Sequence, residues 1–169
     1  MSRGVLLTGA SGYVGGLIAS ALLTSEDDVR ILAPVRKLDS LDHFFAPIEA
    51  EVRLAGREFD EAMAARVRVV ELPPLDRLAD LDPLIAELEI DEIVHSAGCL
   101  DYFNAGALEA VNIGYTTAIV AHAVRWNISR FTYISTAFSS GYVGRRIPES
   151  VHEEPGKDPT DYTRTKRDA

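Results

Sequence analysis

The chain has 169 residues, of which 47% are apolar and 25% charged, and its formal net charge is −9. That length supports one domain with a real core, in the composition range of ordinary globular proteins. The negative balance argues against nucleic acid or an anionic membrane as a main partner, while leaving room for a small anionic ligand at a local positive site. No apolar run approaches the roughly 20 residues of a membrane span, and the apolar start GVLLTGA is too short for a signal peptide. The single cysteine, Cys99, allows no internal disulfide and suits a reducing compartment. It is read as an inert core residue. A cytoplasmic protein with no metal site is expected.

Val5 to Thr8 reads as a first strand. Val14 to Leu23 reads as a helix with Val14, Leu17, Ile18, Ala21 and Leu22 on its apolar face. Val29 to Val35 is a second strand. Ser40 is an N-cap for a loosely helical stretch over 40–65, with Pro47 and Gly56 as interruptions. Val67 to Leu72 is a third strand, closed by Pro73 and Pro74, and Leu78 to Leu88 is helical. Glu92 to Ser96 is a fourth strand, residues 105–126 a long helix, and Arg130 to Ser135 a fifth strand. Residues 136–158 read as loop, and a last helix starts near Thr160. Strands alternating with helices predict an α/β fold, a doubly wound parallel sheet with helices on both faces. Such sheets bind ligands at the carboxyl ends of their strands.

The first strand runs into VLLTGASGYVGG, with Gly9, Gly12 and Gly15 three apart. Alone the spacing says little. Between a strand and an amphipathic helix it points to a phosphate-binding turn. One glycine permits the tight bend, another lets the backbone approach a diphosphate, and the last lets helix and strand pack closely. The helix N-terminus adds unpaired N–H groups and partial positive charge. The alternative is a plain strand-to-helix turn.

About 20 positions further on, a dinucleotide site for NAD wants an acid at the end of the second strand. Here that strand ends ILAPVRKL. Arg36 and Lys37 suit a 2′-phosphate instead, because guanidinium pairs with phosphate through two parallel hydrogen bonds. NADP(H) is therefore expected rather than NAD(H), with Arg36 as main contact. The alternative is a pair of solvated loop charges.

Downstream, DYTRTKRDA places Tyr162 and Lys166 four apart, on one helix face. A neighbouring ammonium lowers a tyrosine pKa, so the phenol can exchange a proton with a carbonyl oxygen. Thr136, in YISTAF at the end of the fifth strand, can hold that oxygen. The alternative is a surface helix that happens to carry Tyr and Lys.

Taken together, T-G-x-x-G-x-x-G over Thr8–Gly15 and the Thr136, Tyr162, Lys166 set resemble the extended short-chain dehydrogenase/reductases of the NAD(P)-dependent epimerase/dehydratase superfamily. The resemblance implies a Rossmann-type sheet. It also implies that Thr136 positions a substrate oxygen, that Tyr162 is the proton donor or acceptor, and that Lys166 tunes Tyr162 and binds the nicotinamide ribose. Cofactor contacts are implied at Thr8, Gly9, Ser11, Gly12, Tyr13, Val14, Gly15, Arg36, Lys37, Ser96, Ala97 and Gly98. The segment IVHSAGCLDYFNAGALEAVNIGYTTAIV is similar to the thioester reductase and fatty acyl-CoA reductase branch, on His95, Ala97, Gly98, Leu100, Tyr102, Asn112 and Thr116. In that branch the counterpart of Asn112 braces the active site. His95 is read as a hydrogen-bonded structural residue.

Three departures stand out. Tyr115 replaces a usual glycine, so helix packing should differ. The usual Gly-Asp-Leu after the third strand is VVELPPLD, which leaves Leu72 for the adenine contact. The chain also ends three residues after Lys166, where family members continue. The expectation is residues 1–169 as an NADP-binding domain lacking the C-terminal substrate part, with Tyr162 and Lys166 in a frayed last turn and little turnover alone.

The function so implied is NADP(H)-dependent reduction of a carbonyl, an acyl thioester on a small molecule or carrier, to an aldehyde. A homodimer is an option. Competing readings are a nucleotide-sugar epimerase, a keto-reductase or dehydrogenase, and a non-catalytic NADP(H)-binding module. A dehydratase is disfavoured, because Ala137 and Phe138 follow Thr136 where that class places Asp-Glu.

Overall fold

The structure, a computed structural model, describes residues 3–37, 40–141, 146–147, 149 and 160–169. Gly144, Pro148, Pro155 and Gly156 of the expected loop lie outside the described residues. In chain order the elements are β1 (Gly4–Thr8), α1 (Tyr13–Ser25), β2 (Arg30–Val35), α2 (Leu41–Leu54), α3 (Glu61–Ala65) and β3 (Val67–Glu71). A 3-10 segment (Leu75–Leu81), α4 (Asp82–Glu87) and β4 (Ile90–His95) follow. Then come α5 (Ala105–Leu108), a π-helical segment (Glu109–Tyr115), α6 (Thr116–Arg125), β5 (Arg130–Tyr133) and α7 (Asp161–Asp168). The chain divides into two compact units, Met1–Ala97 with Ala121–Tyr133, and Gly98–Val120 with Ile134–Ala169.

The first unit is built on a five-stranded sheet in the order β3-β2-β1-β4-β5, parallel throughout. Its strand order reverses direction between β1 and β4, the switch point at which open α/β sheets hold ligands. Val5, Leu7, Ile31, Ala33 and Val94 share a core with residues of α1, α2 and α3. The alternate residues Leu6, Leu32 and Ile93 are equally buried, so both sheet faces are shielded from water.

Helix α1 buries Gly15, Gly16, Ala19, Ser20 and Leu23. The expected face is therefore off by about one residue. Val14 and Ala21 are exposed, and Ile18 and Leu22 only flank the core. Apolarity misleads here because the sheet accepts the small residues, which let the helix come closer. Pro47 does not interrupt helix α2; it lies inside it. Its missing N–H forfeits one bond, while Phe44, Ile48 and Val52 on the same helix are buried. Gly56 does end the stretch, at a φ of +76°. The helix expected over 78–88 divides into the 3-10 segment and α4, with a kink at Arg77. After α6, Trp126 donates its indole N–H to Asp82 at 2.7 Å and lies against the His122 ring.

The fifth strand stops at Tyr133, two residues short of Ser135. Tyr133 pairs with His95, the last residue of β4, so beyond it no strand remains to pair with. Thr136 therefore lies in a turn after the strand, its carbonyl accepting from Ser139 N–H at 3.2 Å.

The second unit holds α5, the π segment, the start of α6 and α7. The long helix expected over 105–126 is present as a succession of α, π and α turns. Among the described residues no helix is long and apolar enough to cross a membrane.

Candidate active site

The glycine turn is shaped by what a side chain would strike. Gly9 has a φ of +74°, and a Cβ there would lie 2.7 Å from Ala97 N and 2.8 Å from the Ser96 carbonyl carbon. At Gly15 a Cβ would lie 2.1 Å from the Gly9 carbonyl oxygen. Gly12 differs. Its φ is −88°, and a Cβ would come no closer than 3.3 Å to the Gly9 oxygen. The packing of the chain thus requires bare backbone at Gly9 and Gly15, and only mildly at Gly12. Ser11, Gly12, Tyr13 and Val14 are exposed, and Gly12 as N-cap offers no side chain to the first amides of α1. Those amides carry the positive end of the helix dipole.

Thr8 ties the two switch-point strands together. Its hydroxyl accepts from Ala97 N–H at 3.3 Å and lies 2.7 Å from His95 Nδ1. His95 is fully buried and stacks on Tyr133 at 5.7 Å. It is a brace between strands, as a structural histidine should be. Ser96 N–H reaches Thr8 O at 3.2 Å. The structure therefore brings Thr8, Gly9, Ser96 and Ala97 together at the ends of β1 and β4. Arg36 and Lys37 are exposed just past β2. Leu72, half-buried just past β3, donates its N–H to Val35 O at 2.7 Å.

In the second unit Asn112 is fully buried at the centre of the π segment. Its Oδ1 accepts from Cys99 N–H at 2.8 Å, and its Nδ2 donates to Cys99 O at 3.4 Å and to Thr165 Oγ1 at 3.0 Å. Thr165 in turn donates to the Tyr162 carbonyl at 3.1 Å. Thr116 donates to the Asn112 carbonyl at 2.6 Å. Cys99 is half-buried in this clamp, where a core position was expected.

Helix α7 opens with a reciprocal capping box between Thr160 and Thr163 and buries Thr163, Thr165 and Lys166. The last turn is thus packed, contrary to the expected fraying, and Ser135 Oγ donates to the Lys166 carbonyl at 2.9 Å. A Cβ built on Gly98 would lie 3.4 Å from Asn112 Oδ1 and 3.6 Å from Lys166 Nζ, so Gly98 borders the lysine amine. Thr136, half-buried beside Ser135, accepts from Phe138 N–H at 3.3 Å.

Burial pushes the Lys166 amine down to about 8. Tyr162 behaves otherwise than expected. Burial first, and then the neighbouring Tyr102, hold its phenol above the ordinary tyrosine value. Lys166 is not among the causes of that displacement. Tyr115 is buried, and burial raises its phenol as well. Sequence reasoning left out Thr165 and Ser135. A small hydroxyl residue immediately before the lysine, and the serine beside Thr136, were the available clues.

A parallel sheet with its glycine turn at the switch point defines the dinucleotide-binding class of α/β folds. The NAD dependent epimerase/dehydratase family model matches residues 5–169, and the chain belongs to that family. It is 32% identical over 162 residues to the isonitrile lipopeptide synthase of Mycobacterium tuberculosis, covering 90% of this chain and 6% of that protein. The terminal R domain of the myxalamid PKS-NRPS pathway superposes with a TM-score of 0.72 at 26% identity, over 98% of this chain and 43% of that one. WbmG of Bordetella bronchiseptica, solved with NAD, gives 0.72 at 18% identity, over 99% and 48%. This chain spans less than half the length of each.

Proposed function

We propose that this chain is the NADP(H)-binding part of a cytoplasmic oxidoreductase that reduces an acyl thioester, on a small molecule or a carrier protein, to an aldehyde. The observation that carries the reading is the buried Lys166 amine, on one helix with Tyr162 and bordered by Gly98. A surface helix has no reason to bury a lysine. The cofactor fits the chain's own shape. The open side of Gly12 and the uncapped start of α1 suit a diphosphate. Arg36, with Lys37, would pair with a 2′-phosphate, Leu72 would lie against the adenine, and Ser96, Ala97 and Gly98 would line the nicotinamide half. Bound there, the nicotinamide would supply the hydride to the carbonyl carbon.

Thr136 would hold the carbonyl oxygen, Tyr162 would give it a proton, and Lys166 would bind the ribose. The phenol carries its proton at neutral pH, as a donor must, while the upward displacement makes it a weaker acid than an ordinary tyrosine. One thioester, one NADPH and one proton give aldehyde, thiol and NADP+. Ala137 and Phe138, both exposed after Thr136, bring no acid or base, which speaks against a dehydratase. The likeness to the R domain, at 26% identity, lends the thioester loose support, and sugar epimerases stand among the structural neighbours as well.

The test uses the complete enzyme that carries this chain and follows NADPH absorbance with octanoyl-CoA, carrier-bound octanoate, octanal and UDP-glucose as separate substrates. Thioester-dependent oxidation that falls by roughly 10²–10⁴ in Tyr162→Phe is expected. Conversion of UDP-glucose with no thioester reduction overturns the reading.

A further inference from the structure

The loop between β4 and α5 is held at several points. Asn112 clamps Cys99 by both backbone groups. Asp101 accepts from Phe103 N–H at 3.2 Å, and Asn104 caps α5 through Ala107 N–H at 3.0 Å. Between these anchors stands Tyr102, with half its surface exposed, its ring centroid 5.1 Å from that of Tyr162 at a tilt of 49°. The same amide that clamps Cys99 also holds Thr165, which bonds the Tyr162 carbonyl. One buried side chain therefore fixes both the backbone beneath Tyr162 and the loop bearing the ring against it.

We propose that Tyr102 is a positioning residue for Tyr162: its ring, presented by the clamped loop, sets the orientation of the Tyr162 phenol and screens one side of it from water. This rests on Tyr162 being the reacting phenol of the proposed function. An aromatic ring at this distance and tilt packs against its neighbour and restricts its rotation. Removing that restriction from a group that must meet a carbonyl oxygen costs rate through misplacement. Tyr102 also adds to the upward displacement of the Tyr162 titration, after burial. The charged groups on α7 are Asp161, Arg164, Lys166, Arg167 and Asp168; Arg164 pairs with Glu109 of the π segment at 2.7 Å, Arg167 pairs with Asp168, and Asp101 precedes Tyr102 in its loop.

Two measurements test the proposal on the wild type, Tyr102→Phe and Tyr102→Leu. The first follows the Tyr162 phenol by NMR of tyrosine labelled with 13C at Cζ, and needs no turnover. The Tyr162 midpoint should fall in both variants, further in Tyr102→Leu, which also opens the phenol to water. The second is NADPH oxidation with octanoyl-CoA. Tyr102→Leu should lose roughly tenfold to a hundredfold in kcat with a smaller change in KM, and the ring of Tyr102→Phe should restore most of it. An unmoved Tyr162 midpoint in both variants, with the amide spectrum intact, overturns the proposal. So does a kcat that Tyr102→Leu leaves at the wild-type level while Tyr162→Phe abolishes it. Full activity in Tyr162→Phe overturns the proposed function instead, so the two failures are distinguishable.

Discussion

The two units carry their candidate residues by opposite means. In the first unit the glycine turn is defined by atoms that must be missing: a methyl group at Gly15 would land 2.1 Å from the Gly9 oxygen. In the second, the neighbourhood of Tyr162 and Lys166 is defined by polar atoms that must be present, chiefly the amide of Asn112. One region is a steric template under an apolar sheet. The other is a buried polar network, in which every member depends on its partners. Damage should therefore differ in kind. Added volume should break the first unit, and lost hydrogen bonds should break the second.

The largest effect should come from Gly15→Ala. With backbone atoms of Gly9 and Ala10 within 2.8 Å of the new methyl, it should destabilise by about 3 kcal/mol or more, as chemical denaturation would measure. Gly12→Ala sharpens the contrast. Its stability change should stay below about 1 kcal/mol, while NADP+ affinity falls at least tenfold by calorimetry, since the methyl would occupy the diphosphate's side of the turn.

Next comes Lys166→Met. The folded amine titrates near 8, below its ordinary 10.5. Between those values the unfolded chain binds more protons, so stability rises with pH. Below about pH 8 the penalty of burying the charge is fully present, on the order of 3 kcal/mol. The variant should be more stable than wild type at pH 7 and should lose that advantage by pH 10. A variant advantage independent of pH would show that the lysine is not buried as a cation.

Asn112→Ala should cost about 2 kcal/mol, because Cys99 N–H loses its acceptor and Thr165 Oγ1 its donor in a buried place. Thermal denaturation would measure it. The smallest effect is expected from Arg36→Ala. It should weaken NADP+ binding by about 1.4 kcal/mol, or tenfold, and leave NAD+ unchanged. Equal loss for both cofactors would remove Arg36 from the 2′-phosphate.

The sheet was legible because its strands are short apolar runs buried on both faces, and its parallel sense follows from the alternating helices. The glycine turn was legible because bare backbone leaves a mark in sequence. Boundaries were less so. Strand β5 ends where β4 stops offering a partner, a fact of pairing that residues 134 and 135 do not carry locally. The buried face of α1 was misread because Gly15, Gly16 and Ala19 register as weakly apolar, although close approach makes them the packed side. The Tyr162 and Lys166 pair was found from spacing, but its electrostatics were not. Burial of the amine and the approach of Tyr102 are set by residues more than fifty positions away. Thr165 was passed over for the same reason, since its role exists only once Asn112 reaches it.

Trp126 is the only tryptophan in the chain, and it sits in the sheet-bearing unit with Asp82 on its indole nitrogen and the His122 ring at 5.1 Å. The fluorescence of this single residue therefore reports on the sheet-bearing unit alone. Unfolding curves followed by emission and by the tyrosine signals of the other half would separate wherever the two do not melt together.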